Sequence, residues 1–206
     1  LQGGKYIIEK TLGQGGFGIT YLATQRGLSR RVVIKEFFMS EYCERDDDSK
    51  TVTTTCTKES KHSLESFRNK FKKEAQNIAS LNHPGIVKVY DVFEENNTVY
   101  YVMEYLPLGS LKEKLDQKGA LSPAEAQKYI IEVANALDYL HHVPIEVGDG
   151  ITSKMLHLDI KPSNIMLNAN NNAVLVDFGL SKRYDEQGNQ TSDTPMGISE
   201  GYAPIE

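Results

Sequence analysis

Between positions 157 and 179 the chain sets an acid, a lysine, an amide and a second acid at short, fixed spacing. The run His157-Leu158-Asp159-Ile160-Lys161-Pro162-Ser163-Asn164 is followed, after a strand-length gap, by Asp177-Phe178-Gly179. A carboxylate can orient a hydroxyl and take its proton, and a lysine can steady a moving phosphate. Carboxylate and amide oxygens are the hard ligands that magnesium prefers. These are the parts that phosphoryl transfer needs, because that reaction consists mostly of positioning and charge stabilisation.

The N-terminal part must then hold the phosphates. Gly13-Gln14-Gly15-Gly16-Phe17-Gly18 has the G-x-G-x-x-G spacing. A dinucleotide-binding fold uses the same glycines, but between a strand and a helix. Here both flanks, Tyr6 to Leu12 and Ile19 to Thr24, are rich in β-branched and aromatic residues, which predicts a glycine hairpin between two strands. A third apolar run, Val32-Val33-Ile34-Lys35, ends in a lysine that needs an anion if buried. On a helix predicted over 64–81, Phe67, Phe71, Ile78 and Leu81 mark the inward stripe. Glu74 falls on that stripe and is the preferred partner of Lys35. A surface pair with Lys70, one turn away, is the alternative.

Together these motifs resemble the protein kinase family over almost the whole chain, and among its members the chain is most similar to eukaryotic-like serine/threonine kinases of bacterial type. The resemblance implies an α+β, bilobal fold: an N-lobe over 1–105 with an antiparallel sheet and one helix, and a partial, mainly helical C-lobe over 106–206. It implies an ATP-dependent serine/threonine protein kinase using ATP and Mg2+, with a protein substrate that offers a Ser or Thr hydroxyl. Asp159 would orient the substrate hydroxyl and accept its proton, Lys161 would steady the γ-phosphate, and Asn164 and Asp177 would serve catalysis by binding the metal. The glycine loop (Gly13, Gly15, Gly18) and Lys35, paired with Glu74, would hold the phosphates. Leu12, Thr20, Val33 and Met166 would sandwich adenine, with Met103 as gatekeeper. The backbones of Glu104 and Leu106 would hydrogen-bond the base, at a hinge over 105–109. Thr20 and Val33 stand where the family more often has valine and alanine, which implies a tighter, slightly more polar pocket.

Composition bounds the alternatives. With 206 residues, 39% hydrophobic and 25% charged, the chain can bury a substantial core. Its net charge of −5 offers no argument for nucleic acid, and no apolar stretch approaches a membrane span. A cytoplasmic location with free thiols at Cys43 and Cys56 is expected. Both cysteines lie in a polar insertion over 38–62, whose acidic Asp46-Asp47-Asp48 reads as a solvated loop rather than a metal site. Asn168 to Asn172 reads as a turn between two short strands.

Further along, Ser122, Pro123 and Glu125 form a capping-box signature opening a helix. Its expected core face is Ile130, Val133, Ala134, Leu137 and Leu140, and its end is His141-His142. The loop over 143–154 is longer than the family usually has there and has no assigned role. Two departures matter. Leu158 stands where most such kinases carry a phosphate-binding arginine, so activity is expected not to require phosphorylation at Thr191, Ser192 or Thr194. Tyr202-Ala203-Pro204-Ile205-Glu206 resembles the close of the family's activation segment, after which the family continues with further helices. The chain is therefore expected to be a fragment or a shortened form, truncated after that segment, with self-association through an uncovered C-lobe surface. A pseudokinase or nucleotide-binding regulatory module is the alternative, and it predicts loss of Lys35, Asp159, Asn164 or Asp177, all of which are present. A small-molecule kinase of the aminoglycoside or choline type is more distant, lacking Lys161 and the Asp-Phe-Gly-Leu-Ser segment.

Overall fold

The structure is a computed structural model that describes the chain apart from residues 17, 48–49, 56–57, 148–150, 185–189, 191–201 and 203–206; at 58–61, 146–147 and 151–153 it describes the backbone alone. The expectations placed on Cys56, on Thr191, Ser192 and Thr194, and on Glu206 fall outside the described residues. The chain divides into two compact units, Leu1–Ala79 with Lys88–Tyr105, and Ser80–Val87 with Leu106–Glu206.

In the first unit run β1 (Tyr6–Gly15), β2 (Gly18–Gln25), β3 (Arg30–Phe37), β4 (Cys43–Arg45), β5 (Val52–Thr54), α1 (Lys58–Ala79), β6 (Val89–Glu95) and β7 (Thr98–Glu104). Five of the strands form one antiparallel sheet in the order β1-β2-β3-β7-β6. Strand residues alternate between its two faces. One face packs Phe37, Val99 and Tyr101 against Phe71 and Ala75 of α1. The other gathers Val32, Ile34 and Val102 beside a stack of Tyr6, Phe93 and Tyr100, with ring centres 5.8 and 5.3 Å apart. Helix α1 starts at Lys58, six residues before the expected Leu64, and it ends at Ala79, so Leu81 is buried beyond it.

The insertion is more ordered than the sequence reading foresaw. Asp46 and Asp47 are exposed loop, as expected, but the strands beside them, β4 and β5, pair as a hairpin in register Cys43↔Thr54 to Arg45↔Val52. Cys43 and Val52 are buried in the α1-side core. The hairpin is tied to the β6–β7 turn by Val52 N–H donating to the Asn96 carbonyl at 2.9 Å and by Asn97 Nδ2 donating to the Val52 carbonyl at 2.8 Å.

The second unit contains α2 (Leu111–Lys118), α3 (Pro123–His142), β8 (Ile145–Val147), β9 (Ile151–Leu156), β10 (Ile165–Leu167), β11 (Ala173–Leu175) and β12 (Lys182–Tyr184). The class is α+β, as expected, with the two helices of this unit accompanied by short strands. The loop over 143–154 is largely a hairpin: β8 pairs with the first half of β9, and β12 with the second. The asparagine turn lies between β10 and β11, with Asn168 Oδ1 accepting from the N–H groups of Asn170 and Asn172. Ser122 caps α3 by accepting from the Glu125 N–H, while a full reciprocal capping box forms at Ser110 and Glu113 of α2. The core face of α3 also differs from expectation. Tyr129, Ala136 and Leu140 are buried, whereas Ile130 is 68% exposed and Ala134 is exposed too. The helix packs on β9 and β11, and those strands select the face they cover.

Candidate active site

In the first unit, the phosphate-holding candidates are set by strand register. Thr20, Lys35 and Tyr101 lie opposite one another across β2, β3 and β7, and Leu22, Val33 and Met103 form the row two residues along. Thr20, Val33 and Met103, all expected near adenine, therefore occupy adjacent rows. The β1–β2 hairpin carries register shifts between Ile8 and Lys10 and between Thr11 and Gly13. Such shifts re-aim a strand next to a site. Leu12 is exposed, and a side chain added at Gly13 or Gly15 would meet nothing within 4 Å. At Gly18 a Cβ would come within 2.4 Å of the Glu36 carbonyl oxygen. Glycine is required there because the loop's last residue rests on the β3 backbone.

Lys35 Nζ lies 5.9 Å from the centre of the Tyr101 ring, whose hydroxyl donates to Glu74 Oε1 at 3.4 Å. Lys35 and Glu74 thus each approach Tyr101, one from β3 and the other from α1. The alternative partner, Lys70, directs its ammonium over the Phe67 ring at 5.6 Å. The N–H of Glu104 donates to the Lys88 carbonyl at 2.9 Å, so a ligand would meet Glu104 through its carbonyl.

The sequence reading missed the residue beside Lys35. Glu36 is 1% exposed, and its carboxylate is surrounded by donors. The Tyr21 hydroxyl reaches Oε2 at 2.7 Å, the Tyr100 hydroxyl reaches Oε1 at 2.8 Å, and Arg45 of β4 forms an ion pair with Oε2. Burial, reinforced by the neighbouring carboxylate, raises the Tyr21 phenol. The Tyr100 phenol is pushed up to about 12, by burial first and then by the Glu36 charge. For Arg45, burial is the largest influence and pulls its pKa down, but the hydrogen bond to Glu36 and the nearby Glu36 charge, with smaller help from Tyr21 and Tyr100, together hold the guanidinium above its ordinary value.

In the second unit, β9 leads into the loop that carries the acid. Asp159 is 8% exposed. Its Oδ2 accepts from Asn164 Nδ2 at 2.8 Å and pairs with Lys161 Nζ at 2.9 Å, while its carbonyl accepts from the same Asn164 amide at 3.0 Å. A short 3-10 turn over Pro162–Asn164 brings that amide back onto the acid. The Val176 N–H donates to the Asn164 carbonyl at 3.0 Å, which fixes the segment leading to Asp177. His157 is buried beneath: its Nε2 lies 3.2 Å from the Val176 carbonyl, and its Nδ1 accepts from the Asp159 N–H at 3.3 Å. These partners place the proton on Nε2. Burial holds the His157 imidazole below its ordinary value. Its ring meets Phe178 at 4.6 Å.

Two residues that are not glycine take left-handed backbone here, Leu158 at φ 62 and Asp177 at φ 60. Such strain, of order 1–3 kcal/mol each, clusters at sites that must hold a geometry. The Leu158 side chain is 51% exposed. Leu106 is buried, and Met166 of β10 is half-buried and bridges to Ser110. The structure thus brings Asp159, Lys161 and Asn164 into one cluster, and Asp177 follows directly on Val176, whose N–H is bonded to Asn164.

The sequence model described as "Protein kinase domain" matches residues 6–204. Serine/threonine-protein kinase PrkC of Bacillus subtilis is 32% identical over 178 residues, covering 86% of this chain and 23% of the relative. Serine/threonine-protein kinase PknB of Mycobacterium tuberculosis is 31% identical over 198 residues, covering 94% and 27%. The chain therefore spans about a quarter of the length of these relatives. A solved structure titled "PpkA-294 apo form" superposes with a TM-score of 0.73 at 27% identity, covering 85% of this chain and 58% of that one. The chain belongs to the protein kinase family, among relatives that are bacterial serine/threonine kinases.

Proposed function

We propose that this chain is the catalytic part of a serine/threonine protein kinase that transfers the γ-phosphate of ATP, with Mg2+, to a protein hydroxyl. The observation that supports this most is the buried cluster of Asp159, Lys161 and Asn164. A carboxylate held by an amide and an ammonium is fixed in place, as an acid that must orient a hydroxyl requires. Lys161 stands ready to steady the transferred phosphate, and lysine at that position resembles the serine/threonine branch of the family.

The donor set fits magnesium. The Asn164 amide nitrogen donates to both the carboxylate and the carbonyl of Asp159, which leaves the other end of the amide, its oxygen, to serve a cation. Among the described residues no three acids, histidines or cysteines form a ready-made metal cage. A metal would therefore be held by Asn164, Asp177 and the phosphates together, the pattern magnesium favours. When bound, it would offset the phosphate charge. Lys35, beside Tyr101 and with Glu74 as its partner in this reading, would hold the α- and β-phosphates, and the glycine loop would cover them. Leu12, Thr20, Val33, Met103 and Met166 would contact adenine, with the Glu104 carbonyl and the Leu106 backbone as its hydrogen-bond partners. The alternative of a pseudokinase or nucleotide-binding regulatory module has no lost residue to support it.

Calorimetric titration of the folded chain with magnesium-ATP tests this reading. Binding is expected, and Lys35→Met is expected to weaken it sharply without unfolding the protein. A folded chain that takes up no nucleotide would defeat it. The exposed Ile130 and Ile131 mark the surface through which copies of the chain would associate. Light scattering should then show association that Ile130→Glu abolishes.

A further inference from the structure

The Glu36 carboxylate raises a question that its chemistry sharpens. A buried charge is tolerated only when donors surround it, and an apolar residue would sit at this position at lower cost. Its donors come from three different elements: Tyr21 from β2, Tyr100 from β7 and Arg45 from the insertion hairpin. Glu36 is also the covalent neighbour of Lys35, and its carbonyl is the surface on which Gly18 rests. One residue therefore connects the phosphate lysine, the seat of the glycine loop and the hairpin. Register adds a reason for the arrangement. A one-residue slip of β3 would turn Lys35 to the opposite face of the sheet. A carboxylate held from both neighbouring strands and from β4 opposes that slip, which is the best-attested use of a buried ion pair.

We propose that the β4–β5 hairpin is a positioning clamp for ATP, in which Arg45 acts through Glu36 to hold Lys35 and the glycine-loop seat in register. Arg45 is a positioning residue and touches no substrate. The Arg45 guanidinium also donates to the Lys50 carbonyl at 2.8 Å and lies 5.0 Å from the Phe38 ring, so the hairpin fixes it from its own side. The proposal rests on the ATP reading above.

The test uses the full chain and compares the parent with Arg45→Met, Arg45→Lys, Tyr100→Phe and the double variant Arg45→Met with Glu36→Gln. Magnesium-ATP affinity, KM for ATP, kcat on a serine peptide and the thermal midpoint are read for each. Arg45→Met is expected to raise KM for ATP about tenfold while kcat stays within about threefold. Adding Glu36→Gln should cost little further ATP affinity, because the two residues act through one ion pair and their losses are not additive. Arg45→Lys should fall between. A lowered thermal midpoint with ATP affinity unchanged in both Arg45 variants, measured well below that midpoint, would make the hairpin purely structural and overturn the proposal. If Arg45→Met does not fold, Tyr100→Phe still decides, since it removes one donor and keeps the ion pair: about a threefold loss of affinity supports the clamp, and no loss overturns it. A folded parent that binds no ATP would overturn the site reading itself, and the parent titration alone reveals that.

Discussion

Two buried carboxylates in this molecule are held in opposite ways. Asp159 receives its partners from its own loop, two and five residues along the chain. Glu36 receives its partners from 9, 15 and 64 residues away, on three separate elements. The first arrangement leaves an acid anchored from one side, suited to chemistry. The second surrounds an acid completely and suits it only to fixing other things. Both acids are buried and paired; what distinguishes them in this molecule is the sequence distance of their partners.

Replacing each acid by its amide sharpens that contrast. Asp159→Asn should lower turnover about a thousandfold, the scale of a lost proton acceptor, while the thermal midpoint barely moves. Peptide phosphorylation and calorimetry on one preparation would show it. Glu36→Gln should reverse the pattern, with kcat within about threefold and stability lower by roughly 1–3 kcal/mol in denaturant melts, since charge-assisted bonds are lost at a buried site. Equal effects of both changes on turnover would break the comparison.

His157 supplies a pH-dependent measure of the loop that holds Asp159. Burial lowers its folded-state pKa below the ordinary 6.5, only partly offset by its bond to the Val176 carbonyl and the charges of Asp177 and Asp159. Above pH 6.5 the ring is neutral whether or not the chain is folded. As pH falls below that value, the unfolded chain takes up a proton that the folded chain resists, so stability falls with pH until the lower folded value is reached. Urea midpoints at pH 7.5 and 5.5 should differ in that direction, and His157→Phe should remove this component. The smallest expected effect concerns Leu158. An exposed leucine cannot hold a phosphate, so alanine together at Thr191, Ser192 and Thr194 should leave turnover within a few-fold. A loss of two orders of magnitude would point to another reader, such as Arg183 on β12.

These differences explain what could be read in advance. The grouping of Asp159, Lys161 and Asn164 was legible because these partners follow one another in sequence. Phe71 and Ile78 were correctly placed inward, since a helix stripe repeats locally. The start of α1 was missed because Lys58 to Ser63 carries no apolar period. The hairpin was missed for a related reason: strands of three residues, Cys43–Arg45 and Val52–Thr54, are too short to show alternation. On α3 the apolar residues Tyr129, Ile130, Ile131, Val133, Ala136 and Leu140 cover more than one stripe. Which flank is covered depends on β9 and β11, and no pattern within the helix encodes that choice.

The pairing of β9 has a consequence in time. Residues 151–153 bond to β8, and residues 154–156 bond to β12, so the strand leading to Asp159 is held by two partners in succession. Opening of Lys182–Tyr184 would release only the half nearest the acid, leaving the other half fastened. Amide exchange should therefore report two separate opening rates along one six-residue strand. The loop that carries the acid can lose its neighbour for a moment and still return to the same root.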